Sequence, residues 1–161
     1  MWTDVLSGTM SAAPKAGWRW SNVPVPEPYV VGLVLGVTLH AVRPWHAFDH
    51  PRLFRLVGGA VLGAGLLLVR WAVRTVGSTD VENPDGIVTD GPYAYSRNPM
   101  YVAWLGIYTG LSLVLNAVWL FLLLPVVMGW THLVVRQEER SLERDFGDGY
   151  RTYTRTVRRY L

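Results

Sequence analysis

The chain has 161 residues, of which 50% are hydrophobic and only 17% are charged, and it carries 8 Trp and 8 Tyr. This composition indicates a one-domain membrane protein rather than a small soluble domain. There is no cysteine, which excludes disulfides, thiol nucleophiles and zinc–thiolate sites. The formal net charge is +3, and the arginines near the C-terminus are interleaved with acids, so the pattern does not favour nucleic acid as a partner.

The first half of the chain predicts an irregular or interfacial segment followed by two apolar helices. Residues 1–28 contain three tryptophans suited to a headgroup belt and no apolar core typical of a signal peptide. Residues 29–73 hold the two helices. The first apolar run, Tyr29–Val42, is short for the roughly 20 residues that a membrane span needs, whereas the second, Leu56–Val73, fits a span better.

The second half predicts a polar loop and then a helical hairpin. Residues 74–98 form the loop, and residues 99–135 form the hairpin, which turns at Asn116 because that residue is the polar interruption between two apolar runs. We expect Pro125 to kink the second helix of the hairpin.

The remaining segment, residues 136–161, is charged and amphipathic and predicts a helical tail, broken at the Phe146–Gly149 sequence FGDG. The fold expected for residues 1–161 is a single all-α domain. It is an integral membrane bundle of about four transmembrane helices with a C-terminal amphipathic helical segment. The positive-inside rule puts the tail, and with it the 74–98 loop, in the cytoplasm.

Small residues at helical spacing predict where these helices approach one another. In lipid, glycines at positions i and i+4 allow two helix backbones to come close. Three helices carry such a pair: Gly32 and Gly36, Gly59 and Gly63, and Gly106 and Gly110.

The turn before the hairpin carries an arginine that a helix start does not explain. Pro99 suits the first helical position, and Asn98 is a natural N-cap. Arg97 adds a cation to the unpaired N–H groups of the helix N-terminus, which predicts a site for a carboxylate or a phosphate. The alternative is an arginine that extends to the lipid headgroups.

A second cluster of polar residues follows the last apolar run. His132 is followed by the adjacent carboxylates Glu138 and Glu139, which are costly at a membrane boundary unless cations or hydroxyls meet them. Glu143 fits a solvated face instead. Since a hairpin returns to its starting side, this cluster and Arg97 should lie at one membrane face. A ligand with a carboxylate, a ribose diol and a compact cation, such as S-adenosylmethionine, matches these groups.

Two stretches carry a resemblance to a known family. IVTDGPYAYSRNPMY and HLVVRQEERSLERDFGDGYRTYTRTV resemble integral-membrane methyltransferases related to isoprenylcysteine carboxyl methyltransferase and the phospholipid N-methyltransferases. In that family both motifs bind S-adenosylmethionine. The resemblance therefore implies the following cofactor-binding residues: Gly91, Tyr93, Arg97, Asn98, Pro99, Tyr101, His132, Glu138 and Glu139.

The chain departs from that family in two places. Many relatives have His where Asn98 stands, and the sequence VRRYL replaces the usual proline and tryptophan near the end of the family pattern. The second departure affects closure of the substrate side.

The function expected is transfer of a methyl group from S-adenosylmethionine to a lipophilic acceptor that enters from the bilayer, at the cytoplasmic face. The acceptor is an isoprenylcysteine-like carboxylate or a lipid amine, and Glu138 or Glu139 could take the proton of an amine. Glu138 and Arg97 are the predicted catalytic residues. The four histidines are scattered, so we expect no metal site. The alternatives are an NADPH-dependent sterol-type reductase and a non-catalytic membrane scaffold.

Overall fold

The fold is built from helices. A computed structural model describes residues 26–78 and 87–161, which form four α-helices and one short 3-10 helix. They are α1 (Glu27–Val42), α2 (Pro51–Ser78), the 3-10 helix (Gly91–Ala94), α3 (Pro99–Leu115) and α4 (Val118–Thr156). No strand forms within the described residues, and the all-α prediction is confirmed.

Two of these helices, α2 and α4, are long and apolar enough to cross a membrane. Only 17% and 22% of their most apolar windows are buried inside the protein. A core helix of a soluble protein would be mostly buried, so this outward-facing apolar surface points to lipid. Helices α1 and α3 have 16 and 17 residues, about 24–26 Å at 1.5 Å per residue, which is short of the about 30 Å hydrocarbon core. The number of four spans therefore stays a prediction.

The helices associate in pairs, α2 along α3 and α1 along α4. In the first pair the backbones come very close. A Cβ on Gly110 would lie 2.6 Å from the Leu62 nitrogen, and one on Gly65 would lie 2.8 Å from the Ala103 carbonyl oxygen. Only glycine fits at such distances, so the α2–α3 interface depends on missing side chains.

The glycine predictions were partly wrong. Gly32 and Gly36 of α1 do pack against α4, where Val127 and Leu120 occupy the space that a Cβ would need. Gly59 and Gly63 do not pack against the described part of the chain, because none of its atoms lies within 4 Å of a Cβ built on either. The glycines of α2 that contact α3 are Gly58 and Gly65, which lie on a different face of the helix.

The hairpin turn forms at Asn116, as predicted. Asn116 adopts the left-handed conformation (φ 53°, ψ 42°) and is 2% exposed. Its Oδ1 accepts hydrogen bonds from the backbone N–H groups of Ala47 (3.1 Å) and Phe48 (2.9 Å), and its Nδ2 donates to the Phe48 carbonyl (2.9 Å). One residue therefore ends α3 through its backbone and holds the loop between α1 and α2 through its side chain.

Two segment boundaries differ from the predictions. Helix α1 begins at Glu27, because Pro28 suits the first turn of a helix, so the irregular segment 1–28 ends earlier than predicted. Helix α2 continues to Ser78, so the start of the 74–98 loop is helical. The rest of the N-terminal segment and the acidic stretch 79–86 lie outside the described residues.

Pro125 lies inside α4, and the kink predicted there stays a prediction. The backbone dihedrals stay helical at Pro125, whose fixed φ is itself a helical value. The break lies at Gly147 (φ 53°, ψ −122°), a conformation available to glycine, and this confirms the predicted interruption at FGDG. The tail is not helical to its end, since α4 stops at Thr156 and residues 157–161 are extended or irregular.

Candidate functional site

The two motifs meet where α3 begins. An Nη atom of Arg97 lies 3.1 Å from Oε1 of Glu139, and both side chains are 11% exposed. Nδ2 of Asn98 donates to the same oxygen at 3.3 Å. The second Nη atom of Arg97 donates to the Thr154 carbonyl at 3.4 Å. The predicted convergence of the two motifs therefore appears as direct contacts among three of the predicted residues.

A third segment, which sequence reasoning missed, completes this cluster. Nε of Arg159 lies 2.8 Å from Oε2 of Glu139. Ser96 and Arg158 form an isolated parallel bridge, and the N–H of Arg97 donates to the Arg158 carbonyl at 2.9 Å. The segment Arg158–Leu161 thus pairs with the Ser96–Asn98 turn like one rung of a sheet. The sequence signal was weak, because Arg159 looks like one more tail arginine.

Asn98 occupies the N-cap position, but its side chain does not cap the helix, so that part of the prediction is wrong. Its backbone conformation is φ −130°, ψ 53°. The Nδ2 group donates instead to Glu139 Oε1 and, at 3.1 Å, to the Arg159 carbonyl. The backbone N–H of Asn98 donates a hydrogen bond to the Ser96 hydroxyl at 3.2 Å. The carboxamide therefore joins the C-terminal segment to the buried carboxylate.

Glu138 and Glu139 have different environments. Successive residues of a helix point about 100° apart, so adjacent carboxylates do not share a face. Glu139 is buried between two guanidinium groups. Glu138 is exposed, and its Oε1 accepts a hydrogen bond of 2.8 Å from the hydroxyl of Tyr101, a residue that is 6% exposed. Glu139 is held by two ion pairs, whereas Glu138 is held by a hydrogen bond and is otherwise exposed.

His132 lies on the same stretch of α4 and contacts the C-terminal segment. Its Nδ1 is 3.0 Å from the Tyr160 hydroxyl. Burial raises the pKa of Tyr160 above its ordinary value, although the nearby Arg159 acts in the opposite direction. Tyr160 is therefore a neutral phenol at physiological pH. It forms one hydrogen bond with the imidazole, whose tautomer decides which group donates. Tyr160 is a second residue that sequence reasoning missed.

Gly91 and Tyr93 position the turn that carries Arg97. Gly91 has φ +57°, and a Cβ there would meet the Thr75 and Trp71 side chains of α2. The Tyr93 carbonyl accepts a 2.6 Å hydrogen bond from the Tyr153 hydroxyl, and burial raises the pKa of Tyr93. Pro99 is buried at the first position of α3. The contacts of Gly91 and Tyr93 reach α2 and the end of α4, so the structure does not join them to the Arg97–Glu139 pair directly.

An apolar cleft of about 310 Å³ lies on the other side of α3. Its main walls are Leu68 and Trp71 of α2, Pro99 and Val102 of α3, Tyr95, and Leu161. Ser96, whose hydroxyl contacts the Asn98 N–H, also lines it. Tyr101 packs toward α1 and α4 instead, so the cleft and the Tyr101–Glu138 pair lie on different faces of α3.

A family model described as phospholipid methyltransferase matches residues 53–149, from the first turns of α2 to just beyond the break in α4. No curated protein and no solved structure matches the chain. The family match confirms the resemblance to membrane methyltransferases, and it stops short of the segment that carries Arg159 and Tyr160. With more than half of its length matched, the chain belongs to the phospholipid methyltransferase family.

Proposed function

We propose that this membrane methyltransferase transfers the methyl group of S-adenosylmethionine to a lipophilic acceptor that approaches from the bilayer. The observation that supports it most is the meeting of Arg97, Glu138 and Glu139 at the start of α3. The family implies the methyl transfer, and the apolar outer faces of α2 and α4 fit a membrane location. The cytoplasmic position of the site follows from the positive-inside rule.

The charge balance of the cluster favours an anionic group of the cofactor. Two guanidinium groups, those of Arg97 and Arg159, face the single carboxylate of Glu139. The Arg97 Nε is buried and has no hydrogen-bond partner within the described part of the chain. An excess cation and an unpaired donor are both costly away from water, and a ligand carboxylate would relieve both. The N-terminus of α3 contributes in the same direction.

Glu138 fits a different part of the same ligand. Its exposed carboxylate, oriented by the Tyr101 hydroxyl, can accept hydrogen bonds from a ribose diol or stabilise a nearby cation. His132 and Tyr160 extend this polar wall toward the C-terminal segment. The predicted set Gly91, Tyr93, Asn98, Pro99 and Tyr101 then acts mainly by holding the turn, the start of α3 and Glu138 in place.

The cofactor supplies an electrophilic methyl group on a sulfonium. The chain's own part is to position this group, to exclude water and to manage one proton. If the acceptor is a carboxylate, it is ionised at neutral pH and requires no base. If the acceptor is an amine, one N–H proton must leave as the new C–N bond forms and the C–S bond breaks, and Glu138 would accept that proton.

The cleft between α2 and α3 suits the hydrocarbon part of the acceptor. Its walls are apolar, α2 is one of the two candidate spans, and Trp71 of its lining is 48% exposed. The cleft ends at Ser96 and Pro99, which flank Arg97. A chain lying there would bring its polar head to the turn between the cleft and the Glu138 face. The acceptor can be a lipid amine or a carboxylate such as that of an isoprenylcysteine.

Two measurements test the proposal. Calorimetry of the purified protein should show saturable binding of S-adenosylmethionine or its demethylated product and none of NADPH. Incubation with a labelled methyl donor and lipid extracts, followed by mass spectrometry, should then reveal the methylated acceptor. A folded sample that binds neither cofactor compound would contradict the proposal. The family match gives no support to a sterol-type reductase or a scaffold, and NADPH binding would be needed to revive the first of these.

A further inference from the structure

Arg159 and Arg97 both pair with the buried carboxylate of Glu139, each with a different oxygen. This division determines which hydrogen-bond donors of Arg97 remain for a ligand. Nε of Arg159 lies 2.8 Å from Oε2 of Glu139, whereas an Nη atom of Arg97 and Nδ2 of Asn98 lie 3.1 and 3.3 Å from Oε1. We propose that Arg159 is a positioning residue: by occupying Oε2 it prevents Glu139 from engaging both arms of Arg97, which leaves Arg97 donors for the carboxylate of the cofactor. This inference rests on the proposed function and extends it to a residue outside the family match.

The reason lies in the geometry of the two groups. A guanidinium fork and a carboxylate form two parallel hydrogen bonds when nothing else competes, and such a bidentate pair is strong and specific. Among the residues that the structure describes, Arg97 contacts Glu139 through one Nη atom, its other Nη donates to the Thr154 carbonyl at 3.4 Å, and its Nε has no hydrogen-bond partner. This arrangement leaves the fork incompletely used, and it exists because Oε2 is already engaged.

The backbone fixes Arg159 in this position. Its carbonyl accepts from Asn98 Nδ2 at 3.1 Å and from the Ser96 hydroxyl at 3.4 Å. The preceding residue, Arg158, is bridged to Ser96. The Arg159 side chain is 37% exposed, so it reaches the buried carboxylate from the protein surface. Because these backbone contacts fix Arg158 and Arg159 against the Ser96–Asn98 turn, they hold the Arg159 guanidinium close to Glu139.

The neighbouring arginine provides a matched control. Arg158 is exposed, and its contacts in the described structure are made by its backbone. Arg159→Gln removes the charge that engages Oε2 and should let Glu139 capture Arg97. The affinity for S-adenosylhomocysteine should fall about three- to tenfold, equivalent to roughly 0.7–1.4 kcal/mol. Arg158→Gln, with the same change in formal charge, should leave it unchanged. Arg159→Lys should restore part of the loss, because it keeps the charge without the planar group.

A second ligand separates positioning from general support of the fold. 5′-Methylthioadenosine has the nucleoside and the sulfur but no carboxylate. Calorimetry should therefore show that Arg159→Gln weakens S-adenosylhomocysteine and leaves 5′-methylthioadenosine unchanged, which also shows that the variant is folded. Equal losses for both ligands, or no loss for either, would overturn the proposal. Wild-type protein that binds neither ligand would instead contradict the proposed function, so the two failures are distinguishable.

Discussion

The α2–α3 interface and the charged cluster at the start of α3 are held together in opposite ways. In the interface, Gly58, Gly65 and Gly110 let backbone atoms meet, and close packing provides the attraction. In the cluster, long side chains from distant segments meet through ion pairs and hydrogen bonds around Glu139. Lipid offers no hydrophobic force between helices, so small residues serve the body of the bundle, whereas buried charges require partners at its end.

The comparison separates two kinds of sensitivity. The stability of the α2–α3 interface should fall when side-chain volume is added to it and should hardly change when a charge is altered in the cluster. The cluster should respond to a change of charge or hydrogen-bonding geometry, even when volume is conserved. Stability measurements therefore report on the first region, and ligand affinities report on the second.

The largest effect is expected from removal of the central cation. Arg97→Ala should weaken cofactor binding by on the order of 2–4 kcal/mol, as when one partner of a desolvated charged pair is lost. Arg97→Lys should lose a smaller part, since it keeps the charge but not the planar fork. The measurement is a Kd for S-adenosylhomocysteine in one detergent, with thermal stability followed in parallel. Unchanged affinity in both variants would mean that Arg97 serves lipid headgroups.

The next effect concerns the interface alone. Gly110→Val should lower the free energy of unfolding by about 2–3 kcal/mol, because its new side chain meets the α2 backbone at Leu62 and Gly58. Gly59→Val is the control, since no atom of residues 26–78 and 87–161 lies within 4 Å of a Cβ at Gly59. Thermal unfolding in detergent measures both. Equal shifts in the two variants would show that the close approach of α2 and α3 contributes little.

The same two regions show what the sequence could reveal. Arg97 and Glu139 could be expected together, because a hairpin of apolar helices returns the chain to its starting side. The face of α2 that packs could not be predicted from spacing, since Gly58, Gly59, Gly63 and Gly65 offer competing choices. Periodicity identifies a helix and its small residues, but the partner helix decides which of them become buried.

The contribution of Arg159 was hidden for a related reason. Residues 157–161 have no helical or alternating pattern, and their pairing with Ser96 is a long-range backbone contact. Asn98 illustrates the same limit, since its position at a helix start was correct while its side chain serves Glu139. Local rules thus predicted the elements and several boundaries, whereas tertiary contacts decided which polar atoms pair.

A smaller effect should distinguish the acidic residues of α4. Glu138→Gln should weaken cofactor binding by about 1–2 kcal/mol, because the charge is lost while an oxygen remains for Tyr101. Glu143→Gln should have no effect on binding. Glu143 pairs with Arg151 at 2.9 Å, but the two side chains are 48% and 60% exposed, and such pairs contribute little. Calorimetry with S-adenosylhomocysteine decides, and similar small effects from both would remove Glu138 from the ligand site.

The smallest effect is expected from filling the apolar cleft, and it links the two regions. Val102→Trp places a large ring between α2 and α3 next to Pro99, where we propose that the acceptor's hydrocarbon chain lies. The apparent KM for a long-chain acceptor should rise about fivefold, roughly 1 kcal/mol, with cofactor affinity unchanged. Val126→Trp is the matched control, because Val126 is 65% exposed on α4 and away from the cleft. Methyl-transfer kinetics on the acceptor identified in lipid extracts provide the measurement.

A rise in KM that is equal in both variants would reflect general contact with lipid, and no rise in Val102→Trp would mean that the hydrocarbon chain of the acceptor enters elsewhere. A rise confined to Val102→Trp would make the α2–α3 interface part of the substrate path as well as part of the fold.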